Sequence, residues 1–250
     1  MWYDSNDHTA AVITAKEQAT FALHGEKLML PKTAVVLFMG GLGYLHQEYE
    51  TELLTERFPR FLNKCPLYSI KGAQVCFLDG GRGAPQAVDT VETLAVMGVE
   101  NIIAVGMCGG YDARLQVGDI LIPPQVFSEE GTSCHYYEQT ESFAPDTQLF
   151  EKAAAFVPEG KQLSTVTTDS VYRQTFAKEA LWRQKGAVGV DMETSAVLSV
   201  SRYLGIRAAT LLMVSDVHPL HEEDTRWAWR MTPELRRRVL CYAMNLALSL

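Results

Sequence analysis

Three uninterrupted apolar runs dominate the chain: residues 34–39 (AVVLFM), 102–105 (IIAV) and 208–214 (AATLLMV). Runs of this length without polar alternation read as strands buried on both faces of a mostly parallel sheet. Shorter strand patterns fall at residues 67–70, 74–78, 119–122, 163–167 and 188–190. Helical spacing separates them. Ala84, Ala87, Val88, Val91, Leu94 and Ala95 share one face, with Pro85 suited to a first helical turn. Ala196, Val197, Val200 and Leu204 line a second helix, and Leu235, Val239, Ala243 and Leu246 a third. The pattern also predicts helices over residues 44–57 and 145–157. Thr14 and Glu17 form a capping-box pattern before a short helix that ends at Gly25. Strands and helices alternate without a linker or an internal repeat. The expectation is an N-terminal extension, residues 1–32, followed by one α/β domain, residues 33–250.

Glycines punctuate the strand ends. The run at 34–39 enters Gly40-Gly41-Leu42-Gly43, and the strand at 74–78 enters Gly80-Gly81-Arg82-Gly83. A strand, a glycine loop and a helix bring unpaired N–H groups toward a bound anion. The third cluster, Gly106 to Gly110, predicts a sharp bend where a ligand approaches closely. No GxxxxGK[ST] pattern follows the first loop, and Gln86 breaks GxGxxG in the second, which disfavours nucleotide P-loop and dinucleotide folds. Two carboxylates stand at element ends. Glu193 falls at a helix start, where the dipole favours it. Asp216 follows Ser215 at the end of a buried strand, a costly place unless the charge is paired or used. In the polar loop at 129–137, Glu129 and Glu130 read as solvated and His135 as a structural histidine.

Composition narrows the class. At 250 residues, 47% hydrophobic and 21% charged, the chain has ample material for a core. A net charge of −8 gives no electrostatic footprint for nucleic acid, and Arg236-Arg237-Arg238 reads as a solvated helix face. No apolar run reaches the ~18 residues a membrane span needs. The first residues lack the basic-then-apolar order of a secretory signal. Five scattered cysteines without a CxxC pair read as reduced thiols in a cytoplasmic protein.

Four stretches, in this order and spacing, carry a resemblance: VGMCGGYDARLQVGDILIP at 105–123, TTDSVYRQT at 167–175, GAVGVDMETSAV at 186–197 and LLMVSD at 211–216. Together they resemble the nucleoside phosphorylase/nucleosidase superfamily, which includes purine nucleoside phosphorylases, uridine phosphorylases and methylthioadenosine nucleosidases. The resemblance implies a three-layer α/β/α fold around a mixed, partly barrel-like central sheet. It implies that Glu193 binds the ribose hydroxyls with Met192 against the sugar, and that Asp216 protonates or hydrogen-bonds N7 of a departing purine. Cys108 and Gly109 would line the base pocket, with Val171 and Tyr172 against the base. Burial would have to raise the Asp216 pKa for it to serve as an acid.

The chain departs from that family where phosphate binds. Phosphorolytic members carry an arginine and a serine or threonine where this sequence has Ala104 and Met107, and their first loop holds a further arginine. Here residues 39–43 hold no cation, and the water-activating glutamate of the hydrolytic branch is also missing. Arg82, with Arg60 and the loop at Gly40, is therefore the expected relocated anion site, weighed against Arg82 simply facing solvent. Three functions stay open: phosphorolysis of a purine nucleoside as the nominal one, hydrolysis by water, and nucleoside binding or storage without turnover. Retention of both Glu193 and Asp216 argues against storage. The resemblance also implies no metal or organic cofactor, phosphate as co-substrate of the phosphorolytic reaction, and a homo-oligomer with no nucleic-acid or membrane partner.

Overall fold

A computed structural model describes residues 3–224, 227 and 229–250; Met1 and Trp2 of the expected N-terminal extension lie outside the described residues. The elements run α1 (Ala15–Ala22), β1 (Thr33–Leu37), α2 (Leu42–Glu48), β2 (Thr51–Thr55), β3 (Leu67–Ile70), β4 (Val75–Asp79), α3 (Ala84–Val96), β5 (Asn101–Gly110), β6 (Ile120–Leu121), β7 (Val126–Glu129), β8 (Ser142–Phe143), α4 (Thr147–Phe156), β9 (Ser164–Thr168), α5 (Phe176–Gln184), β10 (Ala187–Asp191), α6 (Thr194–Tyr203), β11 (Arg207–Val217) and α7 (Pro233–Leu248).

The strands form one mixed sheet in the order β2-β3-β4-β1-β5-β10-β9-β7-β8, with β11 on the other edge of β5 and β6 beyond it. Strand alternation divides the core between two faces. Ala34, Val36, Ile102 and Ala104 pack with α3 and α6 on one face. Val35, Leu37, Ile103 and Val105 pack with α4 and α7 on the other. Apolar side chains on both faces of β1 and β5 are why those runs lack alternation, and the result is the α/β/α layering.

The sheet forks at β5. Residues Asn101 to Val105 pair in parallel with β1, but beyond that β1 departs. Further on, Gly109 and Gly110 pair antiparallel with Val190 and Gly189 of β10. On its other edge β5 pairs in parallel with β11 throughout. A cleft opens between the departing β1 and the arriving β10, at the carboxyl ends of parallel strands, where α/β sheets place ligands.

Three expectations are corrected. The glycine run at 106–110 does not bend away; it stays in β5, because β10 and β11 supply hydrogen-bond partners on both edges. The predicted helix at 44–57 ends after Glu48, and Thr51–Thr55 instead becomes a strand antiparallel to β3. Pairing with a distant strand overrides the local helical spacing. Glu130 is buried, not solvated: it accepts from the Thr132 N–H at 2.6 Å, the Ser133 N–H at 3.1 Å and the hydroxyls of Ser128, Ser133 and Ser195.

Arg60 is also corrected. It is 1% exposed and lies outside the cleft. Its Nη1 donates to the Asp79 carbonyl and the Thr90 hydroxyl, both at 2.7 Å, and its Nε and Nη2 donate to the Asn63 carbonyl at 2.9 and 2.7 Å. With most of its donors held by the protein's own oxygens and its side chain outside the cleft, Arg60 is not placed to bind an anion there. It ties the loop before β3 to the end of β4. Arg60→Ala would leave those oxygens buried without donors, a loss of about 3 kcal/mol or more. Thermal denaturation should show a melting temperature lower by roughly 5–10 °C.

Candidate active site

The cleft encloses a cavity of about 500 Å³, within the range of small-ligand sites. Most of its wall comes from strand ends and the segments just past them. From the β1 and β4 ends come Phe38 and Arg82. The end of β5 gives Met107, Cys108 and Gly109, and that of β10 gives Val190, Asp191, Met192 and Glu193. Ser215, Asp216, His218 and Pro219 come from β11 and its exit. Val171, Tyr172, Gln174, Phe176 and Glu179 close one side, with Trp227 and Trp229. Eight of the ten sequence-derived site residues thus meet in one space. Arg60 does not, and neither does Gly40, whose Cβ position would lie 3.5 Å from Arg236 Nη1 on α7.

Glu193 occupies the N-cap position of α6, but Asp191 does the capping. Asp191 accepts from the Thr194 N–H at 2.9 Å and from the Thr194 hydroxyl, and from the Thr167 hydroxyl at 2.6 Å. The Glu193 side chain is therefore free of the helix end, and it accepts the Gly83 N–H at 2.6 Å, across from the second glycine loop. Burial, with the neighbouring Asp191 adding to it, pushes the Glu193 carboxyl up to about 8.

Asp216 is aimed by a bulge. The β5–β11 register shifts between Val214 and Asp216, so Ser215 is the extra residue. Ser215 donates to Asp216 Oδ1 at 2.5 Å, and Trp227 Nε1 donates to Oδ2. His218 Nε2 lies 3.2 Å from the same oxygen, and His218 Nδ1 lies 2.7 Å from Glu179 Oε1. Burial alone would raise Asp216, but the hydrogen bonds from His218, Ser215 and Trp227 outweigh it and hold the carboxyl below its ordinary value. The condition set for Asp216 to serve as an acid on its own, a carboxyl raised by burial, is therefore not met. Burial would likewise depress His218, but Asp216 and Glu179 outweigh it and lift the imidazole to about 9.

His218 and Glu179 were missed in the sequence. His218 had a signal: two residues past Asp216 in extended chain, it faces the same side. Glu179 had none: it lies in the first turn of α5, where an acid is ordinary.

Arg82 reaches the cavity rim with its side chain half exposed. Its Nη1 lies 3.3 Å from Asp79 Oδ1 and donates to the Gly81 carbonyl at 2.6 Å. Cys108 is buried, and burial with the charges of Asp191 and Asp216 lifts its thiol well above the ordinary value, so it packs as an inert wall. Tyr172 is 95% exposed and stands at the mouth. Among the described residues no helix is long and apolar enough to cross a membrane.

These shifts set a stability profile. His218 binds its proton more tightly folded than unfolded, so its contribution is complete below about pH 6.5 and is lost as pH rises through about 9. The raised Glu193 carboxyl acts in the same direction, its advantage vanishing as pH rises through about 8. The urea midpoint should therefore fall between pH 6.5 and 9.5, and His218→Gln should flatten that fall.

Comparison with known proteins follows the same lines. The Phosphorylase superfamily pattern matches residues 29–238. A guanosine phosphorylase of Halorubrum lacusprofundi is 28% identical over 150 residues, 58% of this chain and 62% of that protein. The DeoD-type purine nucleoside phosphorylase of Brevibacillus brevis is 30% identical over 162 residues, 62% of this chain and 68% of that one. The chain thus spans somewhat under two thirds of the first of these relatives. In fold it is similar to AMP nucleosidase from Bacteroides thetaiotaomicron, with a TM-score of 0.71 at 20% identity, covering 93% of this chain and 96% of that one. It is equally similar to purine nucleoside phosphorylase from Toxoplasma gondii, with a TM-score of 0.72 at 17% identity, covering 88% and 91%. The pattern match over most of the chain's length leads to one conclusion: this chain belongs to the phosphorylase superfamily.

Proposed function

We propose that this chain cleaves the N-glycosidic bond of a purine nucleoside, with phosphate as the nominal acceptor. The observation that carries this reading is that Glu193 and Asp216, from distant parts of the sequence, line one nucleoside-sized cavity. Breaking the bond leaves positive charge on the sugar and an electron pair on the base. Glu193 answers the first by binding the ribose hydroxyls and, once ionised, by its charge; Met192 packs on the sugar. Asp216 answers the second at N7 of the base, which Cys108 and Gly109 flank and Val171 and Tyr172 cover. The names of the relatives support phosphorolysis.

One observation favours hydrolysis as the second reading. Arg82 is the one arginine among the described lining residues, and Asp79 already pairs with it. A buried phosphate dianion needs unspent cations. A panel of purine nucleosides incubated with and without phosphate, with the sugar product identified, separates the two. Phosphate-dependent ribose 1-phosphate supports phosphorolysis, and free ribose without phosphate supports hydrolysis. No base released from any nucleoside contradicts both.

The same reading makes the protein a cytoplasmic homo-oligomer that needs no metal or organic cofactor. The five free cysteines support the compartment, and the half-exposed Trp227 and Trp229 with Tyr172 at the cavity mouth support a subunit contact there. Light scattering on the purified protein checks the assembly.

A further inference from the structure

Glu179 is a buried carboxylate in the cavity wall that bond cleavage, as described so far, does not use. We infer that Glu179 and His218 form a proton relay behind Asp216: His218, held by Glu179, passes its Nε2 proton to Asp216, which delivers it to N7 of the departing purine. The inference rests on the glycosidic reading and adds the source of the proton.

Three side chains lie in series, Glu179 Oε1 to His218 Nδ1 at 2.7 Å and His218 Nε2 to Asp216 Oδ2 at 3.2 Å, with side-chain exposures of 7, 16 and 6%. The imidazole is built into place. Its backbone N–H donates to the Gly110 carbonyl at 2.7 Å, and a Cβ at Gly109 would lie 2.4 Å from Nε2, so only glycine leaves the ring its position. A buried carboxylate facing solely apolar neighbours would be costly, and His218 is the partner that offsets Glu179. The other ionisable groups around the ring are few. The buried Tyr111 ring stands 6.5 Å away, the buried Cys108 thiol lies in β5, and Arg183 of α5 donates to the Tyr111 carbonyl at 3.0 Å. None competes for the imidazole proton.

An ionised Asp216 repels the N7 lone pair of a purine, so the base cannot leave as a neutral species until a proton reaches that oxygen. Transfer from His218 Nε2 gives a neutral acid beside a neutral imidazole, which keeps its Nδ1–H on Glu179. As the C1′–N9 bond breaks, its electron pair goes to the base and the Asp216 proton goes to N7. The proton lost by the attacking phosphate or water then restores the pair. Asp216 touches the base and is the catalytic acid; His218 and Glu179 are positioning residues that act through it.

The test compares an unmodified purine nucleoside with its N7-methylated counterpart, whose base departs neutral without any proton. In His218→Gln, kcat for the unmodified nucleoside should fall about 100-fold with KM within about 3-fold, while the N7-methylated nucleoside is cleaved within about 3-fold of the wild-type rate. In Glu179→Gln, the alkaline limb of the pH profile and the NMR titration of His218 should both move down by about one pH unit. Equal slowing of both nucleosides by His218→Gln, or an unmoved limb and titration in Glu179→Gln, overturns the relay alone. A wild type that releases base from neither nucleoside overturns the glycosidic reading and the relay with it.

Discussion

Asp216→Asn should lower kcat/KM for an unmodified purine nucleoside by about 1,000-fold, within the range of positioned acid catalysis, while the protein stays folded. The asparagine is close to isosteric. Its Oδ1 can take the place of Oδ2 and accept from His218 and Trp227. Its Nδ2 can donate to the Ser215 oxygen, and the Ser215 proton, which points at Oδ1 in the wild type, can turn to the Cys108 carbonyl 3.2 Å away. The hydrogen-bond count at the bulge is therefore kept, and the melting temperature should move by no more than a few degrees. What is lost is a proton that can leave. The N7-methylated nucleoside, needing none, should lose far less. Steady-state kinetics on the two nucleosides reads this directly. A variant as active as wild type on the unmodified nucleoside would remove Asp216 from the chemistry.

Glu193→Ala should cost about 100- to 10,000-fold in kcat/KM, since hydrogen bonds to a charged group contribute about 1.5–3 kcal/mol each and a ribose offers two hydroxyls. Glu193→Gln keeps the acceptor for the Gly83 N–H and should fall between the two. Stability should run the other way. The Glu193 carboxyl is buried beside Asp191, so Glu193→Gln removes a strained ionisation and should leave the urea midpoint unchanged or higher at pH 8. It should also erase the rise of kcat/KM on the acidic side, which follows ionisation of that carboxyl. Loss of activity with unchanged or improved stability marks a residue kept for function. A parallel loss of both would mark Glu193 as structural.

The apolar runs were the legible part of the fold. Val35 and Val36 lie on opposite faces of β1 yet both are buried, and only a doubly covered strand reads that way. Partners set by distant sequence were not legible. Thr51–Thr55 is a strand because Leu67–Ile70 lies alongside it, which no local period encodes. The glycines at 106–110 were read as a bend because a missing Cβ permits one, but Gly109 instead makes room for the His218 ring across the strand. In the site, carboxylates at element ends gave themselves away, since an acid at the end of a buried strand is costly without a use. Arginine was misread in the opposite sense. Arg60 looked like an anion ligand, but its partners are backbone carbonyls and a threonine, and these carry no sequence signature. Burial would have to raise the Asp216 carboxyl for it to serve as an acid on its own, and its neighbours hold it down instead; the proton is on His218.

The most direct measurement is a crystal structure of the protein with a purine nucleoside analogue whose glycosidic bond cannot break. The expected density runs through the cavity, with the ribose hydroxyls within hydrogen-bond distance of Glu193 and the N7 edge of the base on Asp216. A nucleoside bound with its sugar away from Glu193, or excluded from the cavity at saturating concentration, would contradict the assignment of these two carboxylates to the two halves of one substrate.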